Sequence, residues 1–335
     1  MVHTPYPDIL TSNASLHSTG ASPTAVFIGA TTGIGHSALL ALAKHTASPR
    51  IYVVGRSHAS VTPVIKELER INRGGTYIPI QGGDLTLLSN VDKASEKIRA
   101  GGDGHLDMLI MSVGYLTFAS RTETVEGLDR ITSVRYYARI RFLINLLPLL
   151  NAAPSARVVS ILAAGMEGPL WPEDFALKKK EHYGFGKAAG AAASMNTLFF
   201  EEMRKQNPKI VFVHLYPGLV RETGLFDRLE HFGWLTRLFL LWVFQPLVRV
   251  FGYSVEEAGE RVLFAATSGK FRAVEGAGEG IEVGSDGVRG SGAYLLLADS
   301  STTVAPEVVR DLREKGVGRK LVDHTLGEFE RICNV

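Results

Sequence analysis

Ala25-Val26-Phe27-Ile28-Gly29-Ala30-Thr31-Thr32-Gly33-Ile34-Gly35 is the stretch that decides the fold of this chain. The apolar run Ala25 to Ile28 predicts a buried strand, the glycines that follow predict a tight turn, and the residues from about His36 to Lys44 predict a helix. Glycine lacks a Cβ, so the backbone of Gly29, Gly33 and Gly35 can turn sharply and let an anion approach. The free N–H groups and positive dipole end of the helix then stabilise that anion. A strand, a glycine-rich turn and a helix in this order are the context that a dinucleotide phosphate requires, which makes Gly29, Thr31, Thr32, Gly33, Ile34 and Gly35 candidate binding residues.

The same alternation continues outward. Ile51 to Val54 predicts a second strand ending at Gly55-Arg56, and Val64 to Asn72 an amphipathic helix closed by Gly74 and Gly75. Further strands are predicted at Tyr77 to Ile80, Met108 to Met111, Val158 to Ile161 and Ile210 to Leu215, with helices near Leu87 to Arg99, Thr132 to Leu147 and Lys187 to Lys205. This is an α/β chain, a doubly wound parallel sheet of Rossmann type, whose ligands gather at the carboxyl ends of the strands.

The 335 residues are 45% hydrophobic and 21% charged, with a net charge of +2, which suits one large domain and offers no basic face for nucleic acid. The predicted organisation is a flexible leader over 1–22 and a single domain over 23–335. The one cysteine, Cys333, rules out an intrachain disulfide and a cysteine-held metal, and a cytoplasmic location is expected. The uncharged run Leu238 to Val248 is too short to span a bilayer, which takes about twenty residues. It reads as an apolar helix capping a pocket or packing on another subunit. An interfacial helix flanked by Arg237 and Arg249, giving peripheral membrane contact, is the sharper alternative. Gly276 to Gly292 reads as a surface loop or short hairpin region.

At the end of the second strand a chain that prefers NAD would usually present an acid to the adenosine ribose. Here stands Arg56, whose guanidinium suits the 2′-phosphate of NADP(H).

From this point the sequence resembles the short-chain dehydrogenase/reductase family of the classical type. Gly29 to Gly35 is similar to that family's glycine-rich turn. Asp84-Leu85 resembles its adenine-contacting pair, and Gly114 matches the last position of its Asn-Asn-Ala-Gly segment. Pro217-Gly218-Leu219-Val220 resembles the Pro-Gly loop beside the nicotinamide, with Thr223 one position late for the family's threonine. Tyr183-Gly184-Phe185-Gly186-Lys187 matches its Tyr-x-x-x-Lys signature. The resemblance covers roughly residues 25 to 223 and implies an NADP(H)-dependent oxidoreductase that self-associates as a homodimer or tetramer.

It also implies roles for the signature pair. Tyr183 would move the proton on the substrate oxygen. Lys187, four residues on and so expected on the same helix face, would draw the phenol down from its usual value near 10 and hold the ribose. Two positions depart from the family pattern. Its substrate-binding serine falls on Leu162 or Ala163, and its helix asparagine falls within Ser133-Val134-Arg135-Tyr136-Tyr137. Losing one oxyanion donor costs on the order of a hundredfold in rate. Tyr136, Tyr137, Ser112 and His182 are the candidate substitutes, while Arg135, Arg139 and Arg141 read as solvated helix-face charges.

The resulting expectation is a carbonyl reductase or alcohol dehydrogenase for a bulky apolar substrate of secondary or lipid metabolism, since the apolar segment at about 224–255 falls where the family covers its substrate. A non-redox isomerase, dehydratase or cyclase on the same fold, and an NADP-binding regulatory protein, are the alternatives.

Overall fold

The computed structural model describes residues 3–333 apart from 116, 118, 119, 222–233, 235–241, 243–247, 250, 251, 275 and 277. Chain order begins with α1 (Tyr6–Ser18), β1 (Thr24–Ile28), α2 (Gly33–His45), β2 (Arg50–Gly55), α3 (His58–Ile71), β3 (Thr76–Gln81), α4 (Leu88–Arg99) and β4 (Met108–Met111). A short helix α5 (Arg130–Thr132) runs through a π-helical segment, Ser133–Tyr137, into α6 (Ala138–Ala152). Then follow β5 (Arg157–Ile161), α7 (Phe185–Gln206), β6 (Val211–Leu215), α8 (Val255–Thr267), β7 (Ala293–Leu296), β8 (Thr302–Thr303), α9 (Glu307–Glu314) and α10 (Val317–Cys333).

The strands form one sheet in the order β3-β2-β1-β4-β5-β6-β7-β8, parallel throughout except for the last pair. Strands β1, β5 and β6 are buried along their whole length, as expected when helices cover both faces. The predicted strands and helices sit within a few residues of these limits, except that α3 begins at His58. There Ser57 accepts from the Ser60 amide in a capping box and starts the helix early.

From β1 the chain winds outward to β3 and then crosses back to β4 on the other side of β1. The turns that leave β1 and β4 therefore diverge, and a crevice opens between them at the carboxyl edge. One core packs α4, α6, α7 and α10 on one face of the sheet, and a second packs α2, α3 and α8 on the other.

Two expectations differ from the structure. The leader is not loose over Tyr6–Ser18: Ile9 is buried, and the Asn13 amide donates to Oε2 of Glu260 at 2.7 Å and to its carbonyl at 2.9 Å. Its apolar signal is too sparse to read from sequence, because Tyr6, Ile9 and Leu16 are the apolar residues that pack on the core and Asn13 adds a polar anchor. The second difference is β7, a four-residue buried strand that short apolar runs cannot distinguish from a helix turn. The glycine-dense stretch before it holds two antiparallel bridges, Ala273 with Ser291 and Val283 with Arg289.

Helix α10 lies against α7 and α4. Its Thr325 and His324 meet the hydroxyls of Tyr136 and Tyr137 at 2.7 and 2.9 Å, and its Phe329 ring packs beneath the Arg141 guanidinium. Among the described residues, no helix is long and apolar enough to cross a membrane.

Candidate active site

The three turn glycines do three different things. Gly29 has φ of +78°, and a Cβ there would lie 2.6 Å from the backbone nitrogen of Val113, so β1 and the turn after β4 can approach only through a glycine. A Cβ on Gly35 would meet Ser112 at 2.8 Å, so α2 is seated directly on that turn. Gly33 has φ of +64° and faces open space. Thr32 starts α2 without a side-chain cap, which leaves the first N–H groups of the helix to an outside acceptor. A turn that is crowded behind, open in front and short of an acceptor fits a pyrophosphate.

Thr31 packs over Gly55 at the end of β2, and Ile34 faces the crevice. Arg56 follows Gly55, is exposed, and makes no ion pair among the described residues. Asp84 stands after β3, where its Oδ1 accepts from the Thr86 amide at 3.0 Å and its Oδ2 from Arg130 at 2.8 Å. Burial alone would raise its pKa, but these donors and the Arg130 charge hold the carboxyl below the usual range. Leu85 turns into the core.

A cavity of about 300 Å³ opens beside this turn. Ile161, Leu162 and Ala163 at the end of β5, Ser112 and Gly114 after β4, and Pro217 after β6 contribute to its wall. The Pro-Gly loop is tied down by Val220, which bridges to Tyr253, while a Cβ on Gly218 would fall 2.7 Å from that of Ala298. Thr223 and most of the 224–255 segment lie outside the described residues. The two tryptophans described within it, Trp234 and Trp242, are exposed.

The signature pair departs from its expected geometry. Helix α7 begins at Phe185, so Tyr183 precedes it in extended backbone and does not share a helix face with Lys187. The reason is local: Tyr183 and Gly184 both lie in extended backbone, so the first helical turn starts only after them. Phe185 and Ala189 occupy the one-turn spacing that faces the cavity. Tyr183 is half-buried and donates to Oδ1 of Asp129 at 3.2 Å, whereas exposed Lys187 donates to the Glu181 carbonyl at 2.5 Å. Burial, then the Asp129 carboxylate, push the phenol up to about 12, opposite to the expected lowering. The phenol therefore holds its proton at neutral pH.

Neither Leu162 nor Ala163 supplies a hydroxyl to the cavity, and Ser160 is buried beneath it, accepting from Arg139 at 2.8 Å and donating to Asn196 at 3.1 Å. Of the candidate substitutes only Ser112 lines the cavity. Tyr136 and Tyr137 point into the core against α10, and His182 is stacked on Trp171 with Nδ1 2.8 Å from Asp174. Under Ala163 runs a buried chain of hydrogen bonds. The Ala163 amide donates to Nε2 of His214 at 3.1 Å, which leaves the ring proton on Nδ1 facing the Thr197 hydroxyl at 2.9 Å. That hydroxyl donates to Glu167 at 2.8 Å.

The three arginines of the α5–α6 stretch are a correction. Arg135, Arg139 and Arg141 are buried, not solvated, because this stretch is covered by the sheet on one side and by α4, α7 and α10 on the others. An all-round apolar pattern, in Tyr136, Tyr137, Ile140, Phe142 and Leu143, was the available signal. Arg141 pairs with Asp92 at 2.6 Å. Arg139 donates to the carbonyls of Met111, Val113, Val134 and Ile161 as well as to Ser160, and so ties the ends of β4 and β5 to the helix. Burial and the neighbouring Arg135 charge lower it to about 9, still a cation at neutral pH.

Comparison with known proteins gives a consistent picture. A family model described as short chain dehydrogenase matches residues 23–232. The chain is 34% identical over 311 residues to the oxidoreductase AN1596 of Emericella nidulans, covering 90% of this chain and 91% of that protein. It is 36% identical over 322 residues to the NmrA-like family domain-containing oxidoreductase notO of an Aspergillus species, covering 95% and 92%. Among solved structures, the NADPH-bound carbonyl reductase from chicken fatty liver superposes with a TM-score of 0.51 at 15% identity, over 84% of this chain and 99% of that one.

Proposed function

The chain belongs to the short-chain dehydrogenase family, and from that premise we propose that it is an NADP(H)-dependent carbonyl reductase or alcohol dehydrogenase acting on a bulky, largely apolar ketone or alcohol. The observation that carries this reading is the adjacency of the open, uncapped turn at Gly33 to a cavity lined by Ile34, Ile161, Leu162, Phe185 and Pro217. Thr31, Thr32, Ile34 and Gly35 complete the phosphate turn in this reading. Asp84 and Leu85 take the adenine side, while Gly114, Pro217, Gly218, Val220 and Thr223 take the nicotinamide side. Arg56, exposed and without a carboxylate partner among the described residues, supports NADP(H) over NAD because a 2′-phosphate gives it an anionic partner. A reduced nicotinamide bound there supplies the hydride.

The chain's own part is to hold the ketone against the end of β5 and to deliver a proton from Tyr183. A phenol that keeps its proton at neutral pH can give it to a carbonyl oxygen as that oxygen becomes an alkoxide. Lys187 is the cation assigned to the ribose. The self-association implied by the family would have to use a surface other than the one α10 covers on α4 and α7.

The test is NADPH oxidation across a panel of bulky ketones, with a fluorescence titration of NADPH and NADH. We expect tighter NADPH binding, a preference reversed in Arg56→Asp, and a fall in kcat of on the order of a hundredfold or more in Tyr183→Phe. The missing hydroxyl at Leu162 and Ala163 favours a second reading, a non-redox isomerase, dehydratase or cyclase. Tight NADPH binding with no turnover of any ketone would select that reading, and no cofactor binding would overturn both.

A further inference from the structure

Arg135 sits in the middle of the π-helical segment Ser133–Tyr137, a rare geometry that often marks a functional site, and it lines the cavity while only 7% exposed. Its single hydrogen bond among the described residues runs from Nη2 to the carbonyl of Tyr115 at 3.3 Å. A guanidinium carries five N–H donors, so four are left without an acceptor among the described residues. The other buried arginines differ: Arg141 is paired with Asp92, Arg261 with Glu257, and Arg157 donates to the carbonyls of Ala265 and Ser268.

Nor does a nearby acid neutralise it. The charge of Asp129 reaches Arg135, but its oxygens already accept from the Thr122 and Thr132 amides, the Thr132 hydroxyl and Tyr183. Arg139 lines the same cavity and adds a second positive charge, its own donors spent on carbonyls and Ser160. Keeping a cation buried without a counter-charge is costly, a penalty that binding of an opposite charge removes.

The geometry points to a substrate that carries an anionic oxygen pair on an otherwise apolar body, a carboxylate or the enolate of a dicarbonyl, received by the free edge of Arg135. This rests on the cavity being the substrate site proposed above. The planar fork of the guanidinium matches two coplanar oxygens, and the apolar wall around it raises the strength of the pairing. A neutral ketone would leave both the charge and most of the donors unanswered.

The probes are a naphthyl alkyl ketone, the same ketone ending in a carboxylate, and a naphthyl-substituted cyclic dione ionised as its enolate. Their binding is read by calorimetry with and without NADPH, independently of turnover. At least one anionic probe should bind about tenfold or more tighter than the neutral ketone, and which one does so identifies the source of the anion. Arg135→Met should erase that preference while NADPH affinity stays within about twofold, and Arg135→Lys should keep part of it.

Equal affinity of the wild-type protein for all three probes overturns the proposal without any variant. A preference that survives Arg135→Met overturns it too, as does a tenfold loss of NADPH affinity in that variant, which would assign the arginine to the cofactor. Selective anion binding with no NADPH oxidation would instead leave this inference standing and overturn the redox reading.

Discussion

The hydroxyl of Tyr183 lies 3.2 Å from Oδ1 of Asp129 and donates to it. Asp129 is itself fixed as the cap of α5, so the carboxylate that faces the phenol is held in place by Thr122 and Thr132. Its negative charge favours the neutral phenol, which after burial is the main reason that the phenol pKa is pushed up to about 12.

Asp129→Asn keeps a capping oxygen and removes that charge, so the Tyr183 pKa should fall towards its ordinary value near 10. A proton donor is lost as pH rises through its pKa. The alkaline limb of kcat for ketone reduction should therefore move to lower pH in the variant, by about one pH unit. A pH profile of NADPH oxidation checks this, and an unmoved limb would detach Tyr183 from the proton transfer.

Gly29→Ala and Gly33→Ala should separate packing from binding. The first places a Cβ 2.6 Å from the backbone of Val113 at a φ of +78°, and about 2–5 kcal/mol of stability should be lost. The second meets nothing, so only the strain of its positive φ, about 1–2 kcal/mol, should appear in stability. Its larger effect should be on NADPH affinity, by about tenfold or more, because the methyl fills the space that the proposed function gives to the phosphate. Urea denaturation alongside a cofactor titration compares the two.

Arg139→Lys is not conservative here. A lysine ammonium has three donors on a single nitrogen and cannot span the carbonyls of Met111, Val113, Val134 and Ile161. Leaving some of these buried acceptors empty should cost about 2–4 kcal/mol in urea denaturation. A loss below about half a kcal/mol would mean that the carbonyls find other donors.

Glu167 should tie stability to acid pH. Burial alone would raise its pKa, but hydrogen bonds with His214 and Thr197 hold it below the usual carboxylate range. A folded-state pKa below the unfolded one stabilises the protein above the unfolded value, near 4.3, and that contribution fades as pH falls through the folded value. Glu167→Gln should be less stable than wild type at pH 7 by about 1–3 kcal/mol, with the gap closing below pH 4. Denaturation curves at several pH values measure it, and a constant gap would count against the ionised form.

Much of the fold was legible in the order of elements. Ala25 to Gly35 carries its strand, turn and helix locally, in hydrophobic period and glycine placement, and six of the eight strands announce themselves in the same way. The turn that the proposed function gives to the cofactor was legible for the same reason, since Gly29, Gly33 and Gly35 lie within seven consecutive residues between a strand and a helix. The cavity side was not. Whether Tyr136 faces a substrate or Thr325 depends on a helix 189 residues away, and no local pattern records that distance.

The amino-acid sequence by itself therefore determined the doubly wound sheet, the glycine turn after β1 and the family, because each is written in short-range periodicity and in residue types with few conformational options. Only the tertiary structure decided that Tyr183 stands ahead of its helix, bonded to Asp129, and that Arg135 and Arg139 are buried cations instead of solvated ones. Burial and the partner of a charge are properties of what packs around it, and here what packs around it comes from strands, helices and a C-terminal segment far apart in the chain.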